Sequence, residues 1–195
     1  MKRLALALGL LVILAGCVPP VTWVGLTSGE VVVCEHLKVS NDGNWSRLQG
    51  GEPVPKRDIW TSDGISLDQL RFYVGLADGE SLVVVKDRPA DKPLPRFREA
   101  MEAQEVVELY EAFATRDGSV FKLEKLAPAR FLEADGFRFD FSRVRKSDDV
   151  RTLGVCYGAR QKGGWYLMVF EAPRIHYFPK NLPRVEAMAK SAKIQ

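Results

Sequence analysis

Side chains able to do chemistry are scarce in this chain, which has two histidines and three cysteines. His36 stands next to Glu35 and two residues beyond Cys34, inside an apolar, β-branched stretch. Cys34 and His36 are two apart, so on a strand they share a face. Cys156 would join them if its own strand ran alongside, and three ligands with an open fourth position is the minimum of a catalytic zinc site. His176, in Arg174-Ile175-His176-Tyr177-Phe178-Pro179, is the second histidine and also reads as an aromatic anchor between a strand and a helix. One reading is therefore a hydrolase or metal-dependent enzyme using His36 or His176. Against it, the sequence has no G-x-S-x-G elbow and no phosphate-cradling glycine loop in Gly158 to Gly164. Asp140, Asp148 and Asp149 are carboxylates for glycoside chemistry only if they face one another, and adjacent Asp148 and Asp149 suit a turn better. No catalytic residue, metal ligand or cofactor is assigned. Trp45 and Trp60 border Gly- and Pro-rich loops. With His176 they are candidates for a binding surface, the alternative being that both tryptophans anchor loops to the core.

The elements that would position these residues are mostly strands. Glu30 to Val39 is the first strand, rich in β-branched residues, and Asn41-Asp42-Gly43-Asn44 is a turn. A second strand starts near Trp45, followed by the loop Gly50-Gly51-Glu52-Pro53-Val54-Pro55. Leu70–Leu76 and Ser81–Val85 flank Ala77-Asp78-Gly79-Glu80, a hairpin signature. Three prolines between Asp87 and Pro95 end that segment. Glu102 to Arg116 is a helix, with Val106, Leu109, Tyr110 and Phe113 on one stripe and Gly118 as a stop. Asp135-Gly136 is a turn before Phe137, Phe139 and Phe141, which alternate with polar residues on a half-buried strand. Val150–Arg160 and Trp165–Ala172 flank a second hairpin turn at Gln161 to Gly164. A closing helix spans Pro183 to Ile194. Hairpins with few helices predict an α+β fold: an antiparallel sheet of hairpins with one central and one C-terminal helix packed on one face.

The start of the chain carries the most specific signal. Lys2 and Arg3 precede the apolar run Leu4 to Leu14, which is shorter than the roughly 20 residues a bilayer span needs and matches a secretory signal. It closes on Leu14-Ala15-Gly16-Cys17, which resembles the lipobox of bacterial lipoproteins. The resemblance implies removal of residues 1–16 and a diacylglycerol on Cys17, usually with a further acyl chain on the new amino group. Since each buried CH₂ contributes about 0.8 kcal/mol, several chains together hold firmly. Residues 17–29, with Val18-Pro19-Pro20, would be the lipidated amino terminus and tether, and 30–195 a single α+β domain. Val18 rather than Asp after the cysteine tilts the resemblance toward the outer membrane, facing the periplasm, over the inner one. In an oxidising envelope Cys34 and Cys156 become a candidate disulfide, worth about 4–5 kcal/mol for so long a loop. Two separate buried thiols are the alternative.

Charge narrows the partners. The formal charge is +3, and losing Lys2 and Arg3 leaves +1. The densest basic cluster, Arg143, Arg145 and Lys146, runs straight into Asp148 and Asp149. Nucleic acid is therefore not an expected partner. The order of elements, with the glycine-led aromatic strand Gly136-Phe137-Arg138-Phe139 and a late helix, resembles the PsbP-type fold over Leu70 to Ala192. That resemblance implies a scaffold or interaction role. The expectation is a lipid-anchored envelope protein with a non-catalytic binding or scaffold role, attached through Cys17, for an envelope protein partner or a small apolar ligand. A third reading is an assembly subunit recruited through exposed strand edges.

Overall fold

Alternation along β8 (Ala134–Val144) puts Phe137, Phe139 and Phe141 on one face. In the computed structural model, which describes residues 20–51, 54–83 and 94–195, the neighbouring strand β9 (Arg151–Gln161) sets Gly158, Cys156 and Gly154 directly opposite those rings. The small residues are required there. A Cβ on Gly154 would lie 2.0 Å from Phe141 Cζ, and one on Gly158 would lie 2.3 Å from Phe137 Cζ. β7 (Val120–Phe131) borders β8, and β10 (Gly164–Pro173) borders β9. Beyond β10 come β6 (Gln69–Leu76), β5 (Arg57–Thr61), β4 (Ser46–Gln49) and β1 (Thr22–Gly25). The result is an eight-stranded antiparallel sheet in the order β1-β4-β5-β6-β10-β9-β8-β7. A smaller sheet pairs β2 (Gly29–Val33), β3 (Leu37–Asn41) and β11 (Lys193–Ile194) in the order β11-β3-β2.

Two cores follow from the alternation. On β9 and β10, Val155, Tyr157, Met168 and Phe170 face one way, packed with the small sheet and helix α2 (Tyr177–Ser191). Cys156, Leu167 and Val169 face the other way, packed with the phenylalanine row and helix α1 (Ala103–Ala114). The class is thus α+β, mostly antiparallel with two helices, but the helices lie on opposite faces rather than together on one. An eight-stranded sheet whose central strands are apolar on both sides needs a cover on each.

Other differences are local. Residues 22–25, expected in the tether, are a sheet strand, because Thr22 to Gly25 pair in register with Gln49 to Ser46. The expected strand Glu30 to Val39 breaks into β2 and β3 at a turn through Cys34 and Glu35, both with positive φ (46° and 64°). Asp78-Gly79 does make a turn, with Glu80 N–H donating to Ala77 O at 3.1 Å. No strand pairs back onto β6 there, because β5 and β10 already occupy both its edges; Ser81–Val85 lies partly outside the described residues. The β7–β8 turn is at Leu132 and Glu133 (φ 58° and 60°), and Asp135-Gly136 already belongs to β8. The closing helix begins six residues earlier than expected and carries Pro183 inside it. α1 and the Lys162-Gly163 hairpin turn lie where the patterns put them. The signal segment, Cys17 and Val18 lie outside the described residues.

Candidate functional site

β4 pairs with β5 at two positions only, Ser46 with Thr61 and Arg47 with Trp60. Past Arg47 the strands part, the chain turns through Gly50 and Gly51 (φ 81° and 71°), and a groove of about 1010 Å³ opens between them. The β2–β3 turn forms one wall with Val32, Cys34, Glu35 and His36. Leu48, Val54 and Pro55 form another, and Ile59, Phe72 and Tyr73 lie along β5 and β6. Leu82, Val83 and Phe113 of α1 close the far end. The size matches a small-molecule site, and so does the composition, apolar walls with a few placed polar groups.

Those polar groups fall into two sets. On the side of the β2–β3 turn, Arg47 pairs with buried Asp58 and also donates to the Val32 carbonyl at 3.4 Å. Burial pushes the Asp58 carboxyl up, and the Arg47 guanidinium opposes that. The Ile59 N–H donates to Asp58 Oδ1 at 2.9 Å. Beside this pair, burial pushes the Cys34 thiol up to about 11, with Asp58 adding to it and Arg47 opposing it. A thiol held in its neutral form is a poor nucleophile, and among the described residues no base is hydrogen-bonded to its sulfur.

On the other side, register puts Arg57 opposite Tyr73 and Ile59 opposite Arg71. Arg57 donates through Nη2 to the Ser81 carbonyl. Its Nε and Nη1 are buried without a hydrogen-bond partner. Burial lowers the Arg57 pKa, opposed by Tyr73 and Glu80. A buried donor left unpaired costs about 1–3 kcal/mol, more when charged. Glu80 is occupied elsewhere, accepting from Lys56 Nζ and from the Ala77 N–H at 2.6 Å each. Arg71 passes inward to buried Glu171 (3.5 Å) and donates to Gln69 Oε1. Glu171 also accepts from Thr152 at 2.8 Å and from Arg143 at 3.3 Å.

The residues singled out in the sequence are scattered. Trp45 and Trp60 are 1% and 0% exposed, so they are core residues and not an open binding surface. Trp45 packs edge-on against Phe170, and Trp60 against Phe72. His176 is exposed at the start of α2 with φ 71°, its ring against Tyr177. His36 is exposed on the groove wall beside Cys34, in a turn rather than on a strand face. Cys34 and Cys156 are free thiols packed in the two different cores. Of the two alternatives the separate thiols are found, because the large sheet lies between them, and Cys156 cannot join Cys34 and His36 around a metal. Among the described residues no three His, Cys, Asp or Glu side chains gather as a metal-holding group. Asp140 binds Arg138 at 2.8 Å, and Asp148 binds Arg145 at 2.7 Å within the β8–β9 turn. Arg143 lies near the end of β8, but its side chain is largely buried and reaches Glu171, Asp117 and Ser119. Arg57, Asp58 and Arg71 went unremarked in the sequence. Their signal was a charge lodged inside an apolar strand, as in Leu70-Arg71-Phe72-Tyr73-Val74.

No family model matches the sequence, and comparison with curated proteins finds no match. Among solved structures the fold is similar to CyanoP, the cyanobacterial PsbP of Synechocystis sp. PCC 6803, with a TM-score of 0.55. That likeness covers 93% of this chain and 95% of that one at 11% identity. A variant of the protein Mog1 superposes with a TM-score of 0.50 at 8% identity, over 87% of this chain and 96% of that one. At these identities the likeness is one of fold. It bears out the PsbP-type architecture and extends it across most of the chain.

Proposed function

We propose that this chain is a lipid-anchored bacterial envelope protein whose domain binds a small apolar or amphipathic ligand without transforming it. The groove between β4 and β5 carries the reading: it has the volume and the apolar walls of a ligand site, and its one cysteine is held neutral. The lipobox at Leu14 to Cys17 supports the anchor and the envelope location, with the outer membrane favoured by Val18. No helix among the described residues is long and apolar enough to cross a membrane.

Two measurements test the reading. Cells expressing the wild type and grown with a clickable fatty acid should label the protein, and Cys17→Ser should abolish the label; an unlabelled wild type overturns the anchor. Among the described residues, every core side chain lies beyond Pro20, so the chain cut to begin after Pro20 is the domain used. That domain should raise the emission of N-phenyl-1-naphthylamine, and twelve-carbon amphiphiles should displace the probe. Ile59→Asp should prevent binding, and an Ile59→Asp domain that binds as well as wild type overturns the groove assignment.

A further inference from the structure

The groove's cations are unequally matched. Four line it: Arg47, Lys56, Arg57 and Arg71. Arg47 has Asp58, Lys56 has Glu80, and Arg71 has Glu171. Arg57 has no carboxylate in contact among the described residues; a single backbone carbonyl takes one of its donors, and two buried nitrogens keep theirs. Guanidinium offers five N–H donors and no acceptor, so what completes Arg57 must accept hydrogen bonds, and an anion does so most strongly. Tyr73 stands opposite Arg57, the same strand face continues in apolar Ile59 two residues along, and Val83 and Phe113 line the same groove. A polar anion alone would leave that apolar wall uncovered, and a neutral hydrocarbon alone would leave the guanidinium unpaired.

We infer that the groove takes a single-chain carboxylate amphiphile, the chemistry of a free fatty acid, with its head on Arg57 and its chain along Ile59, Val83 and Phe113. This rests on the ligand-binding reading above. One unmatched cation calls for one negative charge, which favours a carboxylate over a phosphate monoester carrying about −1.5 to −2 at neutral pH.

The test is displacement of N-phenyl-1-naphthylamine from the domain at pH 7.5 by dodecanoate, dodecyl phosphate, dodecyl maltoside and dodecyltrimethylammonium, each below its micellar concentration. Dodecanoate should displace at about tenfold lower concentration than the maltoside, the size of one charge-assisted bond. Arg57→Gln should erase that difference, Arg57→Lys should keep part of it, and acetate should displace nothing. Equal displacement by the maltoside or the ammonium amphiphile overturns the carboxylate inference and leaves the groove reading standing. A preference for dodecyl phosphate overturns the choice of head group. Displacement by none overturns both. Because Arg57→Gln could unfold the domain, a wild-type measurement runs beside it. Bound dodecanoate labelled with ¹³C at the carboxyl should stay ionised to lower pH than the free acid, and an unshifted or raised titration overturns the contact with Arg57.

Discussion

Glu171 is the acid around which the interior charges balance. It is 6% exposed and accepts from Arg143 and Thr152 while facing Arg71. Replacing it by Ala leaves Arg71 without its carboxylate in a nearly dry site and Arg143 with Asp117 alone, so Glu171→Ala should cost about 3–5 kcal/mol in urea unfolding. Glu171→Gln should cost less, since it still accepts from Thr152. Cys34 gives a second, independent reading of burial. An unperturbed thiol near 8.5 is partly ionised at pH 8, whereas one pushed up to about 11 is almost wholly neutral. Alkylation of Cys34 at pH 8 should therefore run roughly two orders of magnitude slower than that of a free cysteine. A rate within a few-fold of the free thiol would show Cys34 to be solvated.

The β8–β9 pair shows which parts of an element were legible. The phenylalanine row at 137, 139 and 141 could be read as one face, and the helix at Ala103–Ala114 from its stripe. The row of small residues that receives the rings was not legible, because a glycine in a strand does not say what lies over it. Gly154→Ala should destabilise the domain by about 1–3 kcal/mol through overpacking. Pairing it with Phe141→Leu should recover part of that loss in a double-mutant cycle. Turns misled for a related reason. Two of the hairpins bend at non-glycine residues with positive φ, Cys34-Glu35 and Leu132-Glu133, and Asp135-Gly136 advertises a turn a few residues from the second. Glu133→Gly should then stabilise by about 0.5–1 kcal/mol in thermal unfolding. The groove was hidden too, since it arises where β4 and β5 stop pairing, and sequence patterns report faces of strands rather than their divergence.

Acid should loosen the whole domain through ties between distant segments. Burial pushes Asp63 up, but bonds from Lys180 and Asn181 of α2 outweigh it and hold the carboxyl low. Asp117 is likewise raised by burial and lowered further by Ser119 and Arg143, and Glu80 is lowered by Lys56 against its own burial. Groups lowered in the folded state contribute stability above their unfolded values, near 4, and lose it as pH falls through the lower folded values. Asp58, raised by burial, acts oppositely and favours folding as it gains its proton. Stability should thus fall from pH 5 to pH 2.5; Asp63→Asn should flatten the decline and Asp58→Asn should steepen it, as read from urea midpoints. The thin outer border of the sheet bears on load. β1 holds on through four residue pairs with β4, and neither core uses a β1 side chain. Were the chain moored by its amino end as proposed above, tension would reach β1 first, and peeling its four residues would release about 13 Å of slack without removing a side chain from either core. The first strand would then serve as a mechanical fuse between that proposed mooring and the rest of the domain.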